Sequence, residues 1–372
     1  MNKLLLLFLI TPLFGLSQNP DAVKYYNEAV KLSSAKDYPS AIKAYTASIG
    51  EDPKYAIAYY GRGLSKMSLK TYPEAATDFD KAVELGSDNP KANYYKGFCE
   101  MKVKDYNKAL VSFSRAIKAD PAQTKSYYYR AYIQMLEKNY SKAVVDFKEA
   151  INNGEKGEKA PYYMGVCLKK MDKLPQAYTA FRSALDANPK YVPALYESLK
   201  ADYNKAAYND AIRDANTIME IEPDNTDALR YRAKCYTKTE MYDKAKADYN
   251  NLVEADPKSS KAWIDKAALS LRTKDYPTAV EDYNILIGLD ESNLAYYKNR
   301  AIAYMNTKQW QGALGDWNHL IVKSPENADA FYNRSNVHLQ LEKQDLACED
   351  MRQAAKLGFD KAFEYIAGLC NN

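Results

Sequence analysis

From residue 22 onward the chain is a succession of amphipathic stretches, each about 13 residues long, with apolar positions three and four apart. Polar turns separate them, and the stretches come in pairs. Two helices per pair are the prediction, and no other element type is needed. The pairs recur at one period. Ala41, Ala75, Ala109, Ala143, Ala177, Ala211, Ala245, Ala279, Ala313 and Ala347 stand 34 residues apart without insertion or deletion. Four residues after each comes Tyr45, Phe79, Phe113, Phe147, Phe181, Ala215, Tyr249, Tyr283, Trp317 or Met351. Twelve residues before each comes a mostly small residue: Ala29, Gly63, Gly97, Ala131, Gly165, Leu199, Ala233, Ala267, Ala301 or Ser335. Pro53, Pro121, Pro189, Pro223, Pro257 and Pro325 stop the second helix of their units. The alanine and the small residue let two antiparallel helices approach, and the bulky residue fills the space beside them. One such hairpin cannot bury its apolar faces alone, so neighbours must stack.

These columns resemble the tetratricopeptide repeat family over residues 22–361, ten units and nearly the whole chain. The resemblance implies an all-α, right-handed superhelical solenoid of ten helix-turn-helix repeats, with the first helix of each unit lining a concave face. Residues 362–372 are expected as a C-terminal cap, whose helix spans 360–370. Repeat six departs from the pattern, with Leu199 in the small column and Ala215 in the aromatic one. Met351 and Ser335 in repeat ten suit an end unit.

The chain holds 34 tyrosines, four of them in the stretch KSYYYRAYIQM at 125–135. With the first helix inward, Tyr127 faces its own second helix and is expected in the core. Tyr128, Tyr129, Tyr132 and Met135 face the groove. The neighbouring units supply Tyr60 and Met67, then Tyr94, Tyr95, Phe98 and Met101, then Tyr162 and Tyr163. Lysines flank this stripe, among them Lys91, Lys125 and Lys159. Residues 90–191 hold 19 Lys and Arg against 10 Asp and Glu, a net of +9. Residues 192–293 hold 14 against 19, a net of −5. An aromatic, cation-rimmed trough suits an extended or acidic polypeptide, because a tyrosine ring buries area while its hydroxyl stays bonded. Tyrosine platforms also stack sugars, so a polysaccharide or peptidoglycan binder is the alternative. Half-buried packing between repeats is a further reading of the same rings.

Charge adds a second pattern. The residue before the small column is basic in seven units, and six of those have Asp sixteen residues later. The pairs are Arg62 with Asp78, Arg130 with Asp146, Arg232 with Asp248, Lys266 with Asp282, Arg300 with Asp316, and Arg334 with Asp350. Each is expected to bridge the two helices of its unit, open to sharing with the next unit. Lys96 has no such aspartate.

The first residues, MNKLLLLFLITPLFGLSQ, carry Lys3, an apolar run over 4–16 and small residues before Gln18. That is the form of a secretory signal over 1–17, followed by a linker at 18–21. The run is short for a membrane span, which needs roughly 20 apolar residues. The expectation is an exported protein of a Gram-negative envelope, periplasmic or surface-associated, with no integral span once the signal is removed. Among five cysteines, Cys99, Cys167 and Cys235 share one column two units apart, too far for a bond. Cys348 and Cys370 lie equally far from the turn near Gly358, and either a disulfide or two unpaired thiols fits them. No catalytic constellation, cofactor motif or metal-ligand spacing occurs. Gly61-Arg62-Gly63 lacks the third glycine of a nucleotide loop, and His319 and His338 sit on different units. A net charge of +4 gives no case for nucleic acid. Lys298 stands at a plausible carboxylate-clamp position, but Ile302 replaces the partner asparagine. The sequence therefore reads as a binding scaffold and not an enzyme.

Overall fold

The structure is a computed structural model that describes residues 19–86, 89 and 91–370. The expected signal over 1–17, Gln18, and the last two residues of the expected cap lie outside them. Among the described residues every regular element is an α-helix. Five hairpins come first: α1 (Pro20–Ser34) with α2 (Tyr38–Glu51), α3 (Ala56–Ser68) with α4 (Tyr72–Glu84), α5 (Ala92–Lys102) with α6 (Tyr106–Ala119), α7 (Thr124–Leu136) with α8 (Tyr140–Asn152), and α9 (Lys159–Lys170) with α10 (Leu174–Ala187). Then α11 (Val192–Asn204) precedes α12 (Tyr208–Ile221), α13 (Thr226–Lys238) precedes α14 (Tyr242–Ala255), and α15 (Ser260–Arg272) precedes α16 (Tyr276–Leu289). Finally α17 (Leu294–Asn306) precedes α18 (Trp310–Lys323), α19 (Ala328–Gln340) precedes α20 (Gln344–Lys356), and α21 (Asp360–Leu369) follows. The chain divides into two compact units, one ending at Ala194 and one beginning at Leu195. Each is a solenoid of helix hairpins.

The turn inside each hairpin is the same throughout. One residue takes a left-handed backbone, with φ between 58° and 64°, at Lys36, Lys70, Lys104, Lys138, Asp172, Ala206, Glu240, Lys274, Lys308 and Glu342. None is glycine, although the region favours glycine. The reversal is closed by a backbone bond to the last turn of the first helix, as from Asp37 N to Leu32 O at 3.0 Å. Asp37, Asp105 and Asp275 then cap the second helix by accepting from the amide three residues on. At the other end, Asp52, Asp120 and Asp256 accept from the amide two residues on, across the helix-stopping prolines.

The core follows the columns. Ala75, Phe79, Ala109, Phe113, Ala143 and Phe147 are fully buried in the first unit, and Ala245, Tyr249, Ala313 and Trp317 are buried in the second. Glycine in the small column is a matter of contact: a Cβ on Gly165 would lie 2.6 Å from the Phe181 ring, and one on Gly63 2.9 Å from Phe79. In repeat six the bulk is exchanged, and Leu199 and Ala215 are both fully buried.

The six basic–acidic pairs join at 2.6–2.9 Å. Every arginine of the set grips both carboxylate oxygens through Nε and Nη2, as Arg130 does on Asp146 at 2.7 Å each. Its Nη1 then donates to a residue sixteen positions earlier. The acceptors are Thr46, Ser114, Asn216, Asn284 and Asn318, at 2.7–3.1 Å. Sharing therefore runs to the preceding unit, not the next. With Nε and Nη2 held on one side, Nη1 faces the second helix of the unit before. Lys96 completes the pattern from that side. Its own unit offers Ser112, so its amine pairs with Asp80.

Cys99, Cys167 and Cys235 are buried free thiols, and burial pushes each up to about 12. Cys348 and Cys370 are joined by a disulfide with Cα atoms 5.6 Å apart, which ties α21 to α20.

Candidate interaction surface

The first helices of the first unit, α3, α5, α7 and α9, pack side by side with one orientation. Residues three and four apart on each share a face, and an adjacent tyrosine widens it by about 100°. That face carries Tyr60 and Met67, then Tyr94, Tyr95, Phe98 and Met101, then Tyr128, Tyr129, Tyr132 and Met135, then Tyr162 and Tyr163. All of them are half-buried. Adjacent tyrosines divide their contacts. Tyr95, Tyr129 and Tyr163 stack nearly parallel on the buried phenylalanine of the preceding repeat, with centroids 5.6, 5.9 and 6.2 Å from Phe79, Phe113 and Phe147. Tyr60, Tyr94, Tyr128 and Tyr162 meet the phenylalanine of their own repeat at a tilt, 5.7–6.2 Å away. Each phenylalanine thus touches one tyrosine from its own repeat and, up to Phe147, one from the next.

The same rings also touch one another from repeat to repeat. Tyr60 meets Tyr95 at 6.1 Å, Tyr94 meets Tyr129 at 6.2 Å, and Tyr132 meets Tyr163 at 5.3 Å. Within repeats, Tyr94–Tyr95, Tyr128–Tyr129 and Tyr162–Tyr163 lie 5.0–5.4 Å apart. Burial, then the neighbouring phenols, pushes Tyr60, Tyr94 and Tyr128 well above the ordinary phenol range. These hydroxyls stay protonated and able to donate at any physiological pH. Lys91, Lys125 and Lys159 are exposed at the starts of the first helices. At the other end Lys102 lies over the Phe98 ring at 5.2 Å.

Tyr127 is not core. It is half-buried on the opposite side of α7, 5.7 Å from the Arg130 guanidinium, because the arginine that staples the helices needs a ring to lie against. Tyr59 does the same for Arg62 at 5.4 Å, and Tyr297 for Arg300 at 5.5 Å. Two ladder members went unread in the sequence. Tyr26 contacts Tyr55 at 5.4 Å, and Tyr162 contacts Tyr191 at 5.3 Å. Tyr55 and Tyr191 occupy one column, four periods apart, so the repeat itself carried the signal.

In the second unit the equivalent face is bridged by ion pairs between neighbouring first helices. Arg230 meets Asp265 at 2.5 Å, Lys234 meets Asp265 at 3.6 Å, and Lys298 meets Asp329 at 2.5 Å.

Models of the tetratricopeptide repeat match residues 26–90, 205–269 and 328–357. The chain belongs to the tetratricopeptide repeat family. No curated protein sequence matches it. Among solved structures, the tetratricopeptide protein resembles the C-terminal part of a TPR repeat-containing protein from Cytophaga hutchinsonii. The identity is 18%, 64% of this chain and 98% of that one are covered, and the TM-score is 0.54. A tetratricopeptide repeat protein from Parabacteroides merdae is 20% identical over 67% of this chain and 99% of its own, with a TM-score of 0.44. YrrB, described as a TPR protein with an unusual peptide-binding site, is 26% identical over 47% of this chain and 91% of its own, also with a TM-score of 0.44. Tetratricopeptide repeats are in general scaffolds for protein–protein interaction and not enzymes. Among the described residues of this member, no group of His, Cys, Asp and Glu is placed to hold a metal. Within the same residues no helix is long and apolar enough to cross a membrane.

Proposed function

We propose that this protein is an exported interaction scaffold that binds extended, acidic polypeptide segments on the tyrosine face of repeats two to five. The envelope of a Gram-negative bacterium is its expected place, on the strength of the apolar run at 4–16. One observation carries the reading: a ladder of half-exposed rings from Tyr60 to Tyr163, its step from Tyr128 to Tyr163 made through the buried Phe147, runs between lysines at both ends of the first helices. Rings held by packing lose little freedom when a ligand covers them, so the face is prepared in advance. Protonated phenols offer donors to a peptide's carbonyl groups, and the lysines draw acidic side chains.

Anisotropy titration of labelled extended peptides, acidic against basic, tests this. Acidic peptides should bind, weaken as salt rises, and lose affinity in Tyr128→Ala/Tyr132→Ala with the fold intact by circular dichroism. A glycan binder using the same rings would take oligosaccharides with affinity indifferent to salt. That result, or peptide binding unchanged in the double variant, would overturn the proposal.

A further inference from the structure

A second surface of the first unit lies along the turns inside the hairpins. Neighbouring first helices point the same way, so their closing turns fall along one edge, roughly 10 Å apart per helix layer. Three consecutive turns put an aliphatic side chain into solvent beside a lysine. Leu69 is 43% exposed next to Lys70, Val103 44% next to Lys104, and Leu136 45% two residues before Lys138. The lysines are themselves exposed and hold the left-handed position of their turns. Acids are fewer. In the four turns 67–71, 101–105, 135–139 and 169–173, seven lysines stand against Asp105, Glu137 and Asp172. Asp105 is engaged locally, capping α6 and pairing with Lys108 at 2.9 Å.

The second unit supplies the comparison. At the position of Leu69 and Val103 it has Lys205, then Thr239, Thr273 and Thr307, each threonine donating its hydroxyl back to its own helix at 3.0–3.1 Å, and last Leu341. Glu240 and Glu342 take the left-handed place of Lys70 and Lys104, while Lys274 and Lys308 keep a lysine there. The same turn can therefore carry a threonine in place of the aliphatic residue, and an acid in place of the lysine. In repeats two and three it is aliphatic and cationic instead, and in repeat four Leu136 and Lys138 bracket Glu137.

We propose that this edge seats the protein on an anionic lipid surface. Lysines would meet the headgroup phosphates while the aliphatic tips enter the boundary beneath them. A polyanion such as nucleic acid would use the lysines but gain nothing from Leu69 or Val103, which is why lipid is preferred. The edge is distinct from the tyrosine face and does not depend on it.

The test is flotation of the full chain with phosphatidylglycerol-containing vesicles and with purely zwitterionic ones. Three variants accompany it: Lys70→Glu/Lys104→Glu/Lys138→Glu, Leu69→Ser/Val103→Ser, and Tyr128→Ala. Glutamate is tolerated at this left-handed position elsewhere in the chain, so the first variant should fold. At about fivefold per lysine, charge reversal should lower partitioning onto anionic vesicles by at least a hundredfold. The serine variant should lower it several-fold, and Tyr128→Ala should leave it unchanged. Equal binding to both vesicle types would point to the apolar run at 4–16 and overturn the proposal. So would anionic binding that ignores the edge variants, no binding at all, or heparin binding with indifference to the serine variant.

Discussion

At the scale of the residue, one arginine does the work of three contacts. Arg300 holds Asp316 through two bonds, reaches Asn284 with a third, and lies against Tyr297. Asp316 is buried while the arginine side chain is 18% exposed. Removing the acid alone, as in Asp316→Ala, should cost about 3 kcal/mol, the low end for a buried pair that loses one partner. Arg300→Lys should be far from neutral, since an amine cannot keep the forked grip; urea melts of both variants measure this. Glu100 gives a pH signature. Burial raises its carboxyl, against the Ser112 hydrogen bond and then the Lys96 charge. A raised carboxyl contributes stability that is whole below its unfolded value and lost as pH rises through its folded one. Glu100→Gln fixes the neutral form, so it should raise the melting temperature at neutral pH but not near about pH 4. The pairs could be read from the sequence because base and aspartate vary together between copies of the unit. The third partner could not, since that place holds Thr46, Asp80, Ser114, Asn216, Asn284 and Asn318, three different chemistries serving one geometry.

Among elements, the hairpin turn is where conformation is held against residue preference. Ala206 sits at φ 59° with only an exposed methyl to lose. Ala206→Gly should stabilise the protein by about 0.5–1 kcal/mol, the left-handed cost to an L-residue less glycine's entropy in the unfolded chain. Chemical denaturation will show it, and a loss of stability would contradict it. Helix positions and the core columns were plain in the sequence, because a period without insertions puts every residue on a known face. The division of labour within each tyrosine pair was not. Which phenylalanine a ring stacks on depends on the offset between neighbouring repeats, and periodicity within one helix carries no record of that offset. Tyr127 was misplaced for a related reason: its face was known, but not that Arg130 would occupy the space between the helices.

For the whole molecule, a repeat array lives by nearest-neighbour contacts, so its ends fray first. The Cys348–Cys370 disulfide closes a segment 22 residues long and should constrain the unfolded chain by about 3 kcal/mol. Cys370→Ser should therefore speed amide exchange in α21 and the last turns of α20, while exchange in α13 to α16 stays as it was. The buried thiols give an independent count. With burial holding Cys99, Cys167 and Cys235 near a pKa of about 12, a thiol reagent should find none of them in the native protein and all three in denaturant. The aromatic ladder has one more consequence, an optical one. All three tryptophans, Trp263, Trp310 and Trp317, belong to the second unit. The first unit therefore emits as tyrosine alone. Its rings stand 5–6 Å apart, close enough to pass excitation from one to the next, so its light should leave strongly depolarised. Each half of the chain carries its own colour, and the melting of one can be watched in the same cuvette as the melting of the other.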